Sequence, residues 1–178
     1  MRSVSQRSAP ALWNISLVTR AQATLPSRCK PARDSPSRRV RAGADVDEIT
    51  GRIYRTRTEA RTRLLGLVLA GLQREGKVAW ARVTNDMFHS AGALRCDTER
   101  IVNYLIEIGG VEIAVLAIEQ EDGCSAKFSL RSLAPYNVAR DVALPLGGGG
   151  HERAAGITIH RPLREALDLV LARVREIL

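Results

Sequence analysis

The chain has 178 residues, 45% of them hydrophobic, which is enough for one ordinary domain with a core. Its apolar runs fall short of the ~18 consecutive residues that a transmembrane helix needs, so we expect no membrane partner. Aromatic residues make up only 4% of the sequence, which argues against binding nucleic acid mainly by stacking bases on aromatic side chains.

The net charge of +8 is unevenly distributed. Residues 1–42 hold nine of the 27 Lys and Arg residues and one of the 19 acidic residues, so they carry all of the net charge. The rest of the chain is balanced and lacks the broad cationic character of proteins that grip duplex backbone. We therefore expect any ligand to be bound locally.

Residues 1–43 are predicted to form a disordered basic leader, because they are rich in Ser, Arg, Ala and Pro and show no hydrophobic period. An organellar transit peptide has this composition, and so does misassigned or out-of-frame sequence upstream of a GC-rich gene, which is the favoured interpretation. Three widely spaced cysteines (Cys29, Cys96 and Cys124) indicate reduced thiols and a cytoplasmic location, with organellar import as the alternative.

Residues 44–76 are predicted to be a helical linker. Asp45–Tyr54 has the pattern of a short helix, and Thr58 and Glu59 begin a longer one whose apolar residues recur every three or four positions. Gly76 is expected to end that helix. If a missing domain normally covers it, its exposed apolar side would favour self-association.

Residues 77–178 are predicted to form an α/β domain, a mixed β-sheet with flanking helices. Strands are expected at Lys77–Thr84, Val111–Glu119, Ser125–Arg131 and Gly156–His160, the second of them central and the third reached through a turn at residues 121–123. Helical segments are expected at Asn85–Ala91, from Asp97 to Gly109, at Pro135–Leu144, briefly at Glu152–Ala154, and after Pro162.

A run of four glycines leads into His151 and then Glu-Arg-Ala-Ala-Gly. Gly148, Gly149 and Gly150 would let the backbone come close to a ligand, and their N–H groups, leading into a helix start, would form an anion nest. His151 can donate a ring N–H to a phosphate oxygen. A flexible glycine linker is the alternative, but the ordered continuation disfavours it.

Two further side chains are candidates for ligand binding. Arg131 ends a predicted strand, where its guanidinium can make a bidentate contact with phosphate or carboxylate. Asn103 lies one turn into the helix after Asp97, on an otherwise apolar side. The three histidines (His89, His151 and His160) have no partner at ligand spacing, so we expect no metal site in this chain and no catalytic residue.

Read together, three segments resemble the C-terminal, DHH-associated domain of the DHH phosphoesterase superfamily. They are residues 97–105 (Asp-Thr-Glu-Arg-Ile-Val-Asn-Tyr-Leu), residues 129–132 (Ser-Leu-Arg-Ser) and residues 148–156 (Gly-Gly-Gly-His-Glu-Arg-Ala-Ala-Gly). The pattern is most similar to the bacterial bifunctional oligoribonucleases and 3′-phosphoadenosine-5′-phosphate phosphatases, which are related to RecJ. The glycine–histidine motif also occurs in the C-terminal region of alanyl-tRNA synthetases, but the Asp-Thr-Glu helix favours the first group.

The resemblance implies that Arg131, His151 and the Gly148–Gly150 backbone contact a short oligonucleotide or a nucleotide bisphosphate, with Asn103 a weaker candidate. In the family, Mn²⁺ ions are bound by a separate catalytic domain with an Asp-His-His motif, and this chain lacks that motif. We therefore predict a substrate-binding domain that is inactive alone. The alternatives are a subunit active together with a separate DHH catalytic chain, and a stand-alone nucleic-acid-binding module.

Overall fold

The computed structural model describes residues 57–178. The predicted leader and the predicted helix Asp45–Tyr54 lie outside these residues. The described helices are α1 (Glu59–Ala70), α2 (Asn85–Ala91), α3 (Ile101–Ile106) and α4 (Leu163–Arg175). The strands are β1 (Gln73–Glu75), β2 (Val78–Val83), β3 (Ile113–Glu119), β4 (Ala126–Ser132), β5 (Gly149–His151) and β6 (Ala154–Ile159). None of the described helices is long and apolar enough to cross a membrane.

The six strands form one sheet in the order β1-β2-β3-β4-β6-β5. The β2–β3 pair is parallel and the other four pairs are antiparallel, which confirms the predicted mixed sheet. A parallel pair needs a long crossover, and α2 and α3 lie within it. All residues of β3 except Glu119 are buried, which confirms the expected central strand.

The sheet separates two hydrophobic clusters, because successive side chains of a strand point to opposite faces. On one face, α4 and a π-helix at Ala139–Ala143 pack over β3, β4 and β6. On the other face, α1, α2 and α3 pack over β2 and β3. The second set of helices leaves part of its face uncovered. We call the uncovered part the open face, made of residues 127, 129 and 131 on β4, 154, 156 and 158 on β6, and 149 and 151 on β5.

Helix α1 begins as predicted, since the hydroxyl of Thr58 accepts a hydrogen bond from the Arg61 N–H at 3.1 Å. The expected end at Gly76 was wrong. The helix ends at Ala70, and the next residues form β1, which pairs with β2 and brings the Gln73 amide within 2.9 Å of the Trp80 indole nitrogen. Strand pairing therefore replaces the last predicted helical turn.

The helix expected from Asp97 begins later, at Ile101. Asp97 and Thr98 belong to a separate 3-10 helix, Arg95–Thr98, whose first turn is closed when the Asp97 carboxylate accepts from the Leu94 N–H at 2.8 Å. Arg100 then adopts a left-handed conformation with φ 66°, which is uncommon for a residue other than glycine and interrupts the helix. The predicted apolar side is confirmed at Ile101, Val102 and Leu105, all buried.

Two expectations after β4 need correction. The segment Pro135–Leu144 contains the π-helix Ala139–Ala143, which runs into a 3-10 helix at Leu144–Leu146. The helical turn expected at Glu152–Ala154 is instead the tip of a hairpin between β5 and β6. The carbonyl oxygens of Glu152 and Arg153 accept from the N–H groups of Val138 and Ser132, at 3.0 and 3.1 Å, and so hold the tip against the neighbouring segments.

The turn between β3 and β4 is fixed by the carboxylate of Asp122. It accepts from the Ser125 hydroxyl at 2.6 Å and from the backbone N–H groups of Cys124 and Ser125, each at 2.9 Å. These contacts, that of the Ser125 hydroxyl first, lower the pKa of Asp122 below its usual value. The predicted hairpin is thereby confirmed, and its register sets which residues of β4 reach the open face.

Arg95 ties the end of β3 to α2. Its guanidinium donates to the Glu119 carbonyl oxygen and to the Asn85 side-chain oxygen, and it lies 4.1 Å from the centre of the Phe88 ring. Three separate parts of the chain are joined by one partly buried charged group. Because both hydrogen bonds involve a charge, each contributes more than a neutral one.

We expect Arg95→Ala to lower the free energy of unfolding by about 1.5–3 kcal/mol, since it leaves partly buried oxygen atoms without a donor. The control is Arg63→Ala, which removes an exposed ion pair with Glu59 on α1 and should cost less than about 0.5 kcal/mol. Urea unfolding measures both changes. Equal effects of the two substitutions would contradict the structural role assigned to Arg95.

Candidate anion-binding site

The structure brings two predicted ligand-binding residues into one row across three strands. Arg131 on β4 is paired with Ala154 on β6, and Ala154 is paired with His151 on β5. Residues directly opposite one another point to the same side of a sheet, so Arg131 and His151 both lie on the open face. Their Cα atoms are about 10 Å apart, two strand spacings, and only the methyl group of Ala154 lies between them.

The surroundings of Arg131 leave its guanidinium available. Both cross-strand neighbours, Ala114 and Ala154, are small, and Arg131 is half-buried between them. Its Nη1 donates to the Leu130 carbonyl oxygen at 2.8 Å. It forms no ion pair with another residue of the described range 57–178. Since a guanidinium carries five N–H donors, most of them remain for an anion.

Gly148 and Gly150 are required by packing within the protein. A Cβ atom on Gly148 would lie 2.4 Å from the Gly156 carbonyl oxygen, and one on Gly150 would lie 2.4 Å from the Ala154 carbonyl oxygen. Gly150 also has φ 147°, a backbone conformation that favours glycine. These two residues lack side chains because β5 passes very close to β6, which is a different reason from the ligand approach predicted.

The predicted anion nest is not formed in the expected way. The N–H groups of Gly147 and Gly148 donate to the carbonyl oxygens of Leu144 and Ala143, at 3.1 and 2.8 Å, so neither points to a ligand. The glycines continue into β5, and no helix begins at His151. The helix N-terminus expected after the glycines is therefore absent at this point of the described chain, and the N–H of Gly148 is already engaged within the protein.

Unlike Gly148 and Gly150, Gly149 and Gly156 have room for a side chain. They are paired across β5 and β6 on the open face, and the space above each is unfilled. No atom lies within 4 Å of a Cβ built on Gly149, and the nearest atom to one on Gly156 is the Phe128 carbonyl oxygen at an ordinary 3.6 Å. We call this pair the glycine floor. Ser129, the β4 partner of Gly156, extends the same row with a hydroxyl group.

Asn103 is not brought together with Arg131. It lines a groove of about 390 Å³ between α1 and α3, with Arg57, Arg61 and Tyr104 among its neighbours. Arg131 instead lines a separate crevice of about 390 Å³ between the 3-10 helix and β4. The two hollows share Glu99 and Arg100, but Asn103 lines only the first and Arg131 only the second, so Asn103 is the predicted residue least suited to a shared site.

Three residues on the crevice were not predicted as ligand contacts, although the last two stand in the family segments: Lys127, Ser129 and Arg100. The first two follow from the period of a strand, because residues two and four positions before Arg131 must share its face. Arg100 gave no comparable signal, since its place at the crevice depends on the left-handed backbone that separates the 3-10 helix from α3.

The residues around His151 do not fit a manganese ion. Its row contains a guanidinium and a methyl group, whereas Mn²⁺ prefers carboxylate and other oxygen ligands. Within residues 57–178, no three His, Cys, Asp or Glu side chains are grouped so that they could hold a metal ion. His89 lies in α2, and His160 directly follows β6. The arrangement is suited to holding an anion.

Comparison with known proteins identifies the domain. The DHHA1 domain matches residues 75–178, which include the last residue of β1, the strands β2 to β6 and the whole open face. The chain belongs to the DHHA1 family. This is the DHH-associated domain of the DHH phosphoesterases, as the three sequence segments predicted.

Two proteins similar to this chain are considerably longer. The chain is 34% identical over 137 residues to the bifunctional oligoribonuclease and PAP phosphatase NrnA of Thermus thermophilus, with 75% of this chain and 40% of that protein covered. An exopolyphosphatase-related protein from Bacteroides fragilis has a TM-score of 0.71 at 27% identity, with 79% of this chain and 41% of that chain covered. The DHHA1 chain thus spans about two fifths of the length of either relative.

A third comparison concerns the fold alone. A pGpG-specific phosphodiesterase from Vibrio cholerae has a TM-score of 0.50 at 16% identity, with 83% of this chain and 53% of that chain covered. The mixed sheet with its flanking helices is therefore shared with this phosphodiesterase, although few residues are the same.

The glycine run permits a test that separates packing from ligand binding. We expect Gly150→Ala to lower the free energy of unfolding by about 1–3 kcal/mol, because the added methyl group would overlap the β6 backbone. Gly149→Ala should change it by less than about 0.5 kcal/mol, since its side is open. Thermal or urea unfolding measures both. Equal destabilisation would show that β5 and β6 are not packed as described.

Proposed function

We propose that this domain binds the phosphate groups of a short oligonucleotide or a nucleotide bisphosphate on its open face. The observation that carries the proposal is the row of Arg131, Ala154 and His151 across β4, β6 and β5. A guanidinium and an imidazole lie on either side of a small residue, so a phosphate placed above Ala154 receives hydrogen bonds from both.

The glycine floor gives such a ligand room for its sugar and base. Gly149 and Gly156 present backbone without side chains beside the phosphate row, and Ser129 adds a hydroxyl donor and acceptor. A flat group can lie against this surface. The near-neutral charge of residues 43–178 supports recognition by local geometry in preference to a general attraction for polyanions.

Similarity to NrnA supports the choice of ligand, because that protein acts as an oligoribonuclease and as a PAP phosphatase. We propose that the manganese ions used in the superfamily are bound outside residues 57–178, by a DHH catalytic domain or by a separate DHH chain. The described residues would then hold and orient the substrate, and hydrolysis would take place at the other domain. A cytoplasmic location is part of this proposal.

Binding of 3′-phosphoadenosine-5′-phosphate and of a 5′-phosphorylated dinucleotide to the full chain tests the site. We expect Arg131→Ala and His151→Ala each to weaken binding, the arginine by about 1.5–3 kcal/mol, since it removes charged hydrogen bonds. Isothermal titration calorimetry measures the affinities. Arg164→Ala is the control, because Arg164 is exposed on α4, on the opposite side of the sheet. Unchanged affinity in both site variants would show that the ligand binds elsewhere.

Turnover separates a binding domain from a complete enzyme. We expect the full chain, supplied with Mn²⁺, to release no mononucleotides from a short oligoribonucleotide, because the described residues offer no metal ligands of the required kind. Chromatography of the products measures release. Turnover that a chelator abolishes would contradict the proposed division of roles, whereas turnover only after addition of a DHH catalytic chain would support the two-chain form of the proposal.

A further inference from the structure

A second cationic position lies at the other end of the open face. Lys127 is on β4, four residues before Arg131 and on the same face, between Ile118 of β3 and Thr158 of β6. It is exposed and makes no ion pair with any other residue in the described part of the chain. The row of Arg131 and His151 does not include it, and the proposed phosphate contacts do not use it.

The spacing along β4 sets how far apart the two cations are. Four strand residues correspond to about 14 Å at ~3.4 Å per residue, so the Cα atoms of Lys127 and Arg131 are too far apart to hold one phosphate together. Ser129 lies midway and has the glycine floor beside it. In a stacked strand the phosphates advance about 3.4 Å per nucleotide, so the same distance is spanned by about four stacked nucleotides, and by fewer in an extended strand.

The crevice beside β4 adds a third cation. Arg100 lines it from the side of the 3-10 helix, facing the β4 row of Lys127, Ser129 and Arg131. Its positive φ is costly for a residue with a side chain, by about 1–3 kcal/mol, and places it at the point where the 3-10 helix ends and α3 begins. The crevice therefore carries the positive charge of Arg100 in addition to those of Lys127 and Arg131.

The balance of charge in this crevice differs from that of the domain. Arg95 also lines it, but its guanidinium is engaged with Glu119, Asn85 and Glu121. Glu99 is the one acidic side chain among the residues lining the crevice. The cations not engaged with other described side chains therefore outnumber the acids locally, whereas residues 43–178 as a whole are balanced.

We propose that Lys127, with Arg100 facing it, is a second phosphate subsite that holds the strand beyond the nucleotide bound at Arg131. The subsite makes affinity depend on ligand length, because a mononucleotide at Arg131 does not reach Lys127. This inference rests on the proposed binding function and assigns the direction of the strand, along β4 from Arg131 towards the β3–β4 turn.

The test compares 5′-phosphorylated adenylates of one and four nucleotides, binding to the full chain over a series of salt concentrations. We expect the tetranucleotide to bind more tightly, with a log K against log salt slope steeper by about 0.7 for each further phosphate contact. Lys127→Gln should weaken tetranucleotide binding several-fold, reduce its slope by about 0.7, and leave the mononucleotide unchanged. Lys127→Arg should retain both the affinity and the slope.

Two controls make the result specific. Arg164→Gln removes one exposed positive charge on the opposite side of the sheet and should leave both ligands unaffected. Arg100→Gln should repeat the length-dependent loss seen with Lys127→Gln. Circular dichroism establishes that each variant is folded, and because Lys127 and Arg164 are both exposed, neither substitution disturbs the core.

The outcomes distinguish this inference from the function on which it rests. If the mononucleotide binds through Arg131 but the tetranucleotide gains nothing, or Lys127→Gln changes neither ligand, the second subsite is overturned and the proposed function stands. Equal weakening of both ligands by Lys127→Gln would indicate general attraction and would also overturn the subsite. If neither ligand binds the unaltered chain, the proposed function itself fails.

Discussion

The close approach of β5 to β6 is the constraint on which the candidate site depends. The backbones come so near that Gly148 and Gly150 have no room for a Cβ atom, since the carbonyl oxygens of Gly156 and Ala154 lie 2.4 Å from its place. This contact fixes the register that puts His151 opposite Ala154, and through it in one row with Arg131. Moving β5 by one residue would turn the imidazole to the other face.

The helices decide which part of the sheet is available to a ligand. On one face, α4 and the π-helix pack in a hydrophobic cluster that covers β4 and β6. On the other face α1, α2 and α3 pack over β2 and β3, and α3 also reaches β4, so β6, β5 and part of β4 keep an uncovered surface of polar and small residues. The same packing that stabilises the central strands therefore creates an edge, and the crevice between the 3-10 helix and β4 lies along it.

Much of this architecture is predictable because strand and helix periods are local. The buried run of β3, the turn at Asp122 and the apolar side of α4 were all readable from spacing, and so was the family, from three short segments. The failures occur where a residue's partner is distant in sequence. The helix does not extend to Gly76, because the residues before it form β1 and pair with β2. No helix begins at Glu152, whose carbonyl oxygen accepts a hydrogen bond from the N–H of Val138.

The glycine run shows why a correct motif gave an incorrect physical reason. Four glycines indicate unusual backbone, but the sequence cannot say whether a ligand or another strand demands it. The structure distinguishes the two reasons, because alternate residues of a strand face opposite sides. A Cβ atom on Gly148 or Gly150 would overlap the backbone of β6, whereas one on Gly149 would meet no other atom.

The same alternation adds Lys127 to the face of Ser129 and Arg131, which neither the net charge nor the motif indicated. The strong positive charge of the chain belongs to residues 1–42 and gives no guide to the site. The period of two along β4 is the better guide, because it places three polar residues in one row on the open face. Under the proposed function, a domain that is neutral as a whole would recognise phosphate through the spacing of these few donors.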